Sequence, residues 1–203
     1  MAHYTISYAR KVLHLVSLHE LPELDLDHEL LLVERPNEHF TRAKILNFFE
    51  TYNSITLAGE DAGELFEEFA LEFRRVTAAG GVVTTPRGEA LMIFRNGRWD
   101  LPKGRLEPDE PLRRCAAREI EEEAGVAPGR LVRPLCDTWH IYNIYGAWEL
   151  KHTFWYHFER SDAAAPAPQL EEGITRCEWC PVEEARRRAE ESFPTLRAVM
   201  RAL

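Results

Sequence analysis

The sequence predicts an α/β (α+β) fold, a sandwich with helices covering a mixed sheet, preceded by a small α+β unit. Two observations carry this. Short β-prone apolar runs alternate with segments of helical periodicity along the 203 residues. Gly80 and Gly81 then mark a change of texture in mid-chain. We therefore expect an N-terminal unit over 1–75, long enough for a modest core of its own, and a larger domain over 76–203.

In the first unit, residues 11–17, 30–34 and 54–58 read as strands and 38–51 as a helix. Over 60–75, Leu65, Phe66, Phe69, Ala70 and Phe73 recur at helical spacing and give an amphipathic helix. After Gly81, the runs 82–85 and 90–94 flank Pro86-Arg87-Gly88, which predicts a hairpin. A loop over 95–108 leads to a helix over 109–124, with Gly125 just past its end as a stop. Aromatic-rich strands follow at 135–144 and 148–158, then a strand at 175–180. Pro181 opens a helix to about 188, and a last helix spans 194–203. The Ala- and Pro-rich stretch 163–168 reads as an exposed loop.

Composition narrows the function. Hydrophobic content of 45% with 29% charged residues fits a folded globular chain and excludes a disordered one. No apolar run approaches the roughly 18 residues needed to cross a bilayer, so no membrane role is expected. Arg10 and Lys11 precede a short apolar stretch, but His14 and His19 interrupt it and no small-residue cleavage site follows, so no secretory signal is read. Four cysteines are too few for a disulfide framework and fit a reducing, cytoplasmic setting. With 25 basic against 34 acidic side chains, the net charge of −9 argues against a nucleic-acid partner. A phosphorylated small molecule would need its charge neutralised by something else, and a divalent cation is the natural candidate.

The informative stretch is Gly104 to Val126, GRLEPDEPLRRCAAREIEEEAGV. On a helix, Glu119, Glu122 and Glu123 stand at i, i+3 and i+4, so three carboxylates share one face. Between Glu107 and Glu123 there are seven acids and three bases, a net of −4. Such a cluster suits a hard cation, because Mg²⁺ takes oxygen ligands from one or two carboxylates, substrate phosphates and water. Cys115, Ala116 and Ile120 offer the apolar side, and Arg118 can pair with Glu122 one turn on. Three glutamates alone would read as a solvated acidic face. The full pattern changes that: Gly, five residues, Glu, seven residues, Arg-Glu-aliphatic-any-Glu-Glu-any-Gly-aliphatic. Seven fixed positions at average frequencies coincide by chance about once in 10⁸ placements.

This pattern resembles the Nudix box, filled here by Gly104, Glu110, Arg118, Glu119, Ile120, Glu122, Glu123, Gly125 and Val126. The resemblance covers about 76–203 and implies the family's α/β/α sandwich with its mixed sheet. It also implies Mg²⁺- or Mn²⁺-dependent hydrolysis of a nucleoside diphosphate linked to another moiety. By position, Glu119, Glu122 and Glu123 would ligate the metal, and Glu110 and Arg118 would orient them. Lys103 and Gly104 would face the substrate. For the general base, Glu119 and the loop pair Glu171 and Glu172 both remain candidates, since a base must reach the attacking water and spacing alone does not show which does.

Weaker features bear on the substrate. The lead-in Trp99-Asp100-Leu101-Pro102-Lys103-Gly104 resembles members that act on dinucleoside polyphosphates or diphosphoinositol polyphosphates, and Tyr142 falls near a tyrosine of the former, where a ring could stack on adenine. Tyr142 also reads as an ordinary strand aromatic, and Trp139, His140, Tyr145 and Trp148 are open to both readings. Dinucleoside polyphosphate is the leading class; ADP-ribose or a nucleotide sugar is the alternative. A non-catalytic nucleotide sensor is a third reading, disfavoured because no box glutamate is missing. Cys177 and Cys180 form a lone CxxC, read as packing because zinc needs four ligands. The N-terminal unit leaves dimerisation, capping of the site and partner binding open; a scaffold or oligomerisation role, a homodimer included, is expected.

Overall fold

Along the strand Glu89–Arg95, Leu91 and Ile93 face one way and Ala90 and Met92 the other, and all four are fully buried. A strand buried on both faces must lie between two layers, as in a three-layer sandwich. The computed structural model shows this arrangement; it describes residues 3–23, 29–32, 41–144 and 146–203. Two compact units emerge, Met1–Val76 with Trp139–Lys151, and Thr77–Thr138 with His152–Leu203.

The strands of the second unit are β5 (Arg74–Thr84), β6 (Glu89–Arg95), β7 (Arg98–Asp100), β8 (Lys103–Arg105), β9 (Arg130–Ile144), β10 (Ala147–Glu159) and β11 (Ile174–Pro181); β5, β9 and β10 extend beyond it. Its sheet runs β11-β6-β5-β10-β9, with β7 on β6 and β8 on β5. On one face lies α3 (Leu112–Ala124), whose Cys115, Ala116, Ile120 and Ala124 pack on Ala79, Val83, Leu91, Ile93 and Phe158. On the other lie α4 (Val182–Glu190) and α5 (Pro194–Ala202), which bury Ala185, Ala189, Leu196, Val199 and Met200 against Val82, Met92, Leu101 and Trp155. Each fully buried aliphatic side chain contributes about 1.5–3 kcal/mol. Cys177 packs with the first cluster and Cys180 with the second, so the CxxC pair straddles the sheet.

The first unit carries β1 (Tyr4–Tyr8), β2 (Lys11–Ser17), β3 (Glu29–Leu32) and β4 (Ser54–Gly59), with α1 (Arg42–Thr51) and α2 (Ala62–Ala70). β1 pairs antiparallel with β2, β2 parallel with β4 and β3 parallel with β4, and Ile6 and Ser7 of β1 lie opposite Trp139 and His140. Its core holds Leu13, Leu15, Ile45, Phe49, Leu57, Phe66 and Phe69. Thr41 caps α1 by accepting from the Lys44 N–H (3.3 Å), and Asp61 caps α2 through the Gly63 and Glu64 N–H groups.

Several elements differ from expectation. β1 was not foreseen, because five residues of mixed polarity give too short a pattern. The loop expected over 95–108 contains β7 and β8, each only three residues long. The box helix begins at Leu112 rather than 109, because Asp109 has φ of 60° and Pro111 takes the N-cap position with extended backbone. The helix expected over 60–75 ends at Ala70, and Arg74 already opens β5. The first three residues of the helix read over 38–51, the last two of the strand read over 30–34, and Tyr145 lie outside the described residues. No described helix is long and apolar enough to cross a membrane.

Candidate active site

The site is built from the end of β6, the β7–β8 segment, α3 and the turn before β11. Gly125 ends α3 in the left-handed conformation (φ 67°), which leaves the last carbonyls of the helix open. Two of them are taken by the loop before β11: the Ala167 N–H donates to Ala124 O (2.9 Å) and the Gln169 N–H to Glu123 O (3.3 Å). The Asn96 N–H, just past β6, donates to Gly173 O (3.3 Å). The segment carrying Glu171 and Glu172 is thus tied at both ends.

Arg118 is the hub of the carboxylates. Its Nε and Nη2 donate to the two oxygens of Glu110, each at 3.0 Å, in a bidentate fork. Its Nη1 donates to Glu119 Oε1 (2.7 Å) and Glu122 Oε2 (2.8 Å), and Nη2 also reaches Arg105 O (3.0 Å). The Glu107 N–H holds Glu110 from the other side (3.2 Å). One guanidinium therefore draws three acidic side chains together. Gly104 lies directly under Glu119, in the space where any side chain would have a β-carbon.

Glu123 belongs to a second network. Its Oε1 accepts from Arg95 Nη1 (2.7 Å) and its Oε2 from the Lys103 backbone N–H (3.0 Å), while Lys103 Nζ pairs with Asp100. Arg95 also donates from Nε to Glu172 O (3.1 Å) and pairs through Nη2 with the Glu172 carboxylate. Sequence reasoning missed Arg95 and Asp100.

Burial sets the protonation chemistry. Glu123 is 2% exposed, and loss of hydration pushes its carboxyl up to about 7 despite Lys103 and Arg95 nearby. Burial raises Glu119 as well, outweighing Arg118, and the charges of Glu122 and Glu172 add to the rise. Glu110 goes the other way, lowered chiefly by its hydrogen bonds from Arg118. Burial pushes the Cys115 thiol up to about 12, so it is no thiolate nucleophile at neutral pH.

Among the described residues no three His, Cys, Asp or Glu groups converge as a ready metal cage, because Arg118 stands between Glu119 and Glu122 while Arg95 and Lys103 face Glu123. The donor chemistry nonetheless fits a hard divalent cation. Every donor is a carboxylate oxygen, and Glu119 and Glu123 are buried with too little positive charge to hold their ordinary ionisation.

A family model for the NUDIX domain matches residues 74–202, well over half of the chain. This chain belongs to the NUDIX family. A MutT NUDIX hydrolase from Burkholderia pseudomallei is 24% identical, with a TM-score of 0.50 over 64% of this chain and 98% of that one. An Ap4A hydrolase from C. elegans, solved as a binary complex, is 23% identical with a TM-score of 0.46, over 63% of this chain and 93% of that one. The NUDIX domain of Shewanella oneidensis NrtR, solved with ADP ribose, is 21% identical with a TM-score of 0.46, over 63% and 87%. The domain is that of the Nudix hydrolases, pyrophosphohydrolases that generally use divalent metals.

Of the box residues and their candidates, the Nudix domain brings Glu110, Arg118, Glu119 and Glu122 into one network, and Lys103, Glu123 and Glu172 into the other. Glu171 is exposed. Tyr142 falls in the first compact unit, where its hydroxyl donates to the fully buried Glu149, which also pairs with Arg74. Its ring stacks on His140 (centroids 5.2 Å apart) under the Lys151 ammonium. Trp139 and Trp148 pack on that unit's core.

Proposed function

We propose that this Nudix hydrolase cleaves a phosphoanhydride in a nucleoside diphosphate-linked substrate, with dinucleoside polyphosphate as the leading class. The observation that carries it is the Arg118 hub, which gathers three box carboxylates on one side of α3. Glu119, Glu122 and Glu123 would hold Mg²⁺ or Mn²⁺, which supplies charge neutralisation and a water made nucleophilic at neutral pH. Glu110 and Arg118 orient those carboxylates, as outer-shell partners do. Lys103 and the Gly104 backbone face the phosphates.

In the reaction, the oxygen of water bonds to phosphorus as the bond to the bridging oxygen breaks, and a carboxylate accepts the proton. Within the loop pair, the contacts favour Glu172 over Glu171, because Arg95 holds Glu172 beside the box helix and its charge is felt at Glu119. Glu119 remains the other candidate base.

The reading extends to an accessory domain over 1–75 beside a hydrolase domain over 76–203, with a homodimer through the former. A cytoplasmic setting is supported by four cysteines that are all free thiols. ADP-ribose or a nucleotide sugar is the second reading, favoured by the Tyr142 ring already stacking on His140 under the Lys151 ammonium. A non-catalytic nucleotide sensor is the third, and the complete set of box glutamates speaks against it. A panel of dinucleoside tetraphosphate, ADP-ribose, nucleotide sugars and nucleoside triphosphates, with Mg²⁺ or Mn²⁺ and products separated by charge, tests all three. Two nucleotides released from the dinucleoside tetraphosphate faster than AMP from ADP-ribose is the expected result. Absence of turnover across the panel with either metal would overturn the hydrolase reading.

A further inference from the structure

Arg95 occupies the last position of β6, opposite Ile174 of β11. Three of its N–H donors are committed, Nη1 to the Glu123 carboxylate, Nε to the Glu172 carbonyl and Nη2 to the Glu172 carboxylate. Its side chain is 23% exposed, against 3% for Glu123 and 49% for Glu172. A mostly buried guanidinium thus joins a nearly inaccessible acid on the box helix to a half-exposed acid on the neighbouring loop. The loop backbone is held at Glu172 O by Arg95 Nε and, independently, by main-chain hydrogen bonds at Ala167, Gln169 and Gly173. What Arg95 adds to those ties is the direction of the Glu172 carboxylate, which it pairs with through Nη2.

Its second effect is electrostatic. Oε1 of Glu123 keeps a free lone pair beside the Arg95 contact, so a cation is not sterically excluded there. It would, however, meet a guanidinium bound 2.7 Å from the same oxygen, and like charges oppose one another strongly where water is scarce.

We propose that Arg95 is a positioning residue with two opposed effects: it holds Glu172 against the box helix for the reaction, and it restrains cation binding at Glu123. This rests on the metal-dependent hydrolase reading above. A residue that merely neutralised a buried acid would change stability and leave the kinetic constants of the folded protein alone. The positioning role separates the two readouts. Removing Arg95 tightens the cation and slows the enzyme.

The test uses the full chain, with Mn²⁺ affinity measured by electron paramagnetic resonance without substrate, and kcat and KM measured separately. In Arg95→Ala, measured at pH 8.5 so that a proton on Glu123 does not compete with the metal, Mn²⁺ is expected to bind roughly fivefold more tightly. At the same time kcat should fall about 10- to 100-fold while KM stays within about threefold. Arg95→Lys keeps the charge but loses the fork, so Mn²⁺ affinity should stay within about twofold of wild type while kcat remains depressed. An Arg95→Ala protein that binds Mn²⁺ no more tightly than wild type, or turns over at the wild-type kcat, overturns the proposal alone. Wild-type protein that binds no Mn²⁺ overturns the metal-dependent reading and this proposal together.

Discussion

Gly104 and Glu119 share a space that a β-carbon would fill: one built on Gly104 would collide with the carboxyl carbon and both oxygens of Glu119. The glycine of the box is therefore a matter of volume, since its φ lies outside the left-handed region. Its β8 backbone pairs with Ala79 of β5 and has little freedom to retreat. Gly104→Ala is expected to push Glu119 off Arg118 and reduce hydrolysis at least about 100-fold, the scale of misplaced catalytic geometry. Steady-state kinetics on the folded variant check this.

Glu122 differs from Glu119 and Glu123 in being half in solvent, at 47% exposed, with Arg118 as its partner. Glu122→Gln should leave the melting temperature nearly unchanged, as surface substitutions usually fall within about 0.5 kcal/mol. Metal affinity and turnover should fall by about 100-fold or more if Glu122 ligates the cation. Calorimetric metal titration beside thermal melts separates the two, and undiminished turnover would remove Glu122 from the metal set.

Glu123 makes stability depend on pH. Its carboxyl is raised to about 7 in the folded chain against an ordinary 4.5, so between these values the folded state holds a proton that the unfolded state has released. Stability of the cation-free protein should therefore decline as pH rises through that window. Glu123→Gln removes the penalty, and at pH 8 the cation-free variant should be more stable than wild type by up to about 3 kcal/mol. Binding a cation requires the ionised acid, so millimolar Mg²⁺ should raise the wild-type melting temperature more at pH 8 than at pH 6. Denaturant titrations at the two pH values, with and without Mg²⁺, read both effects.

Tyr142→Phe should keep the ring and lose the donor to Glu149, which is fully buried. Leaving a buried carboxylate one hydrogen bond short costs about 1–3 kcal/mol. A lower denaturation midpoint with kcat and KM close to wild type is expected if the tyrosine is structural. Tyr142→Ala also removes the ring, and a KM for dinucleoside tetraphosphate raised well above that of Tyr142→Phe would instead return it to the substrate site.

The half of the site governed by local spacing could be read from the sequence. Glu119, Glu122 and Glu123 share a helical face because 3.6 residues make a turn, and Arg118 meets Glu122 at i+4 as expected. Gly125 ends the helix where it should. Arg95 was hidden because its partners are 28 and 77 residues away and meet it only when α3 packs on the sheet and β11 pairs with β6. The direction of Glu123 was hidden for the same reason, since it depends on the Lys103 backbone rather than on helical period. The strands beside the site were missed through brevity, as three residues cannot display an alternation. Tyr142 has a contact the sequence did not show, its hydroxyl donating to an acid seven residues on, because which face of a strand a residue takes and what lies opposite it depend on pairing rather than spacing.

The loop that meets the end of α3 hydrogen-bonds to it through the main-chain N–H groups of Ala167 and Gln169. Substitutions at the exposed Ala163 and Ala165 should thus be tolerated, unlike those at Ala164, which packs on the α3 cluster, whereas inserting or deleting one residue would shift the register of both donors and swing Glu172 out of place. Evolution along this stretch is free to change the exposed letters but must keep the count.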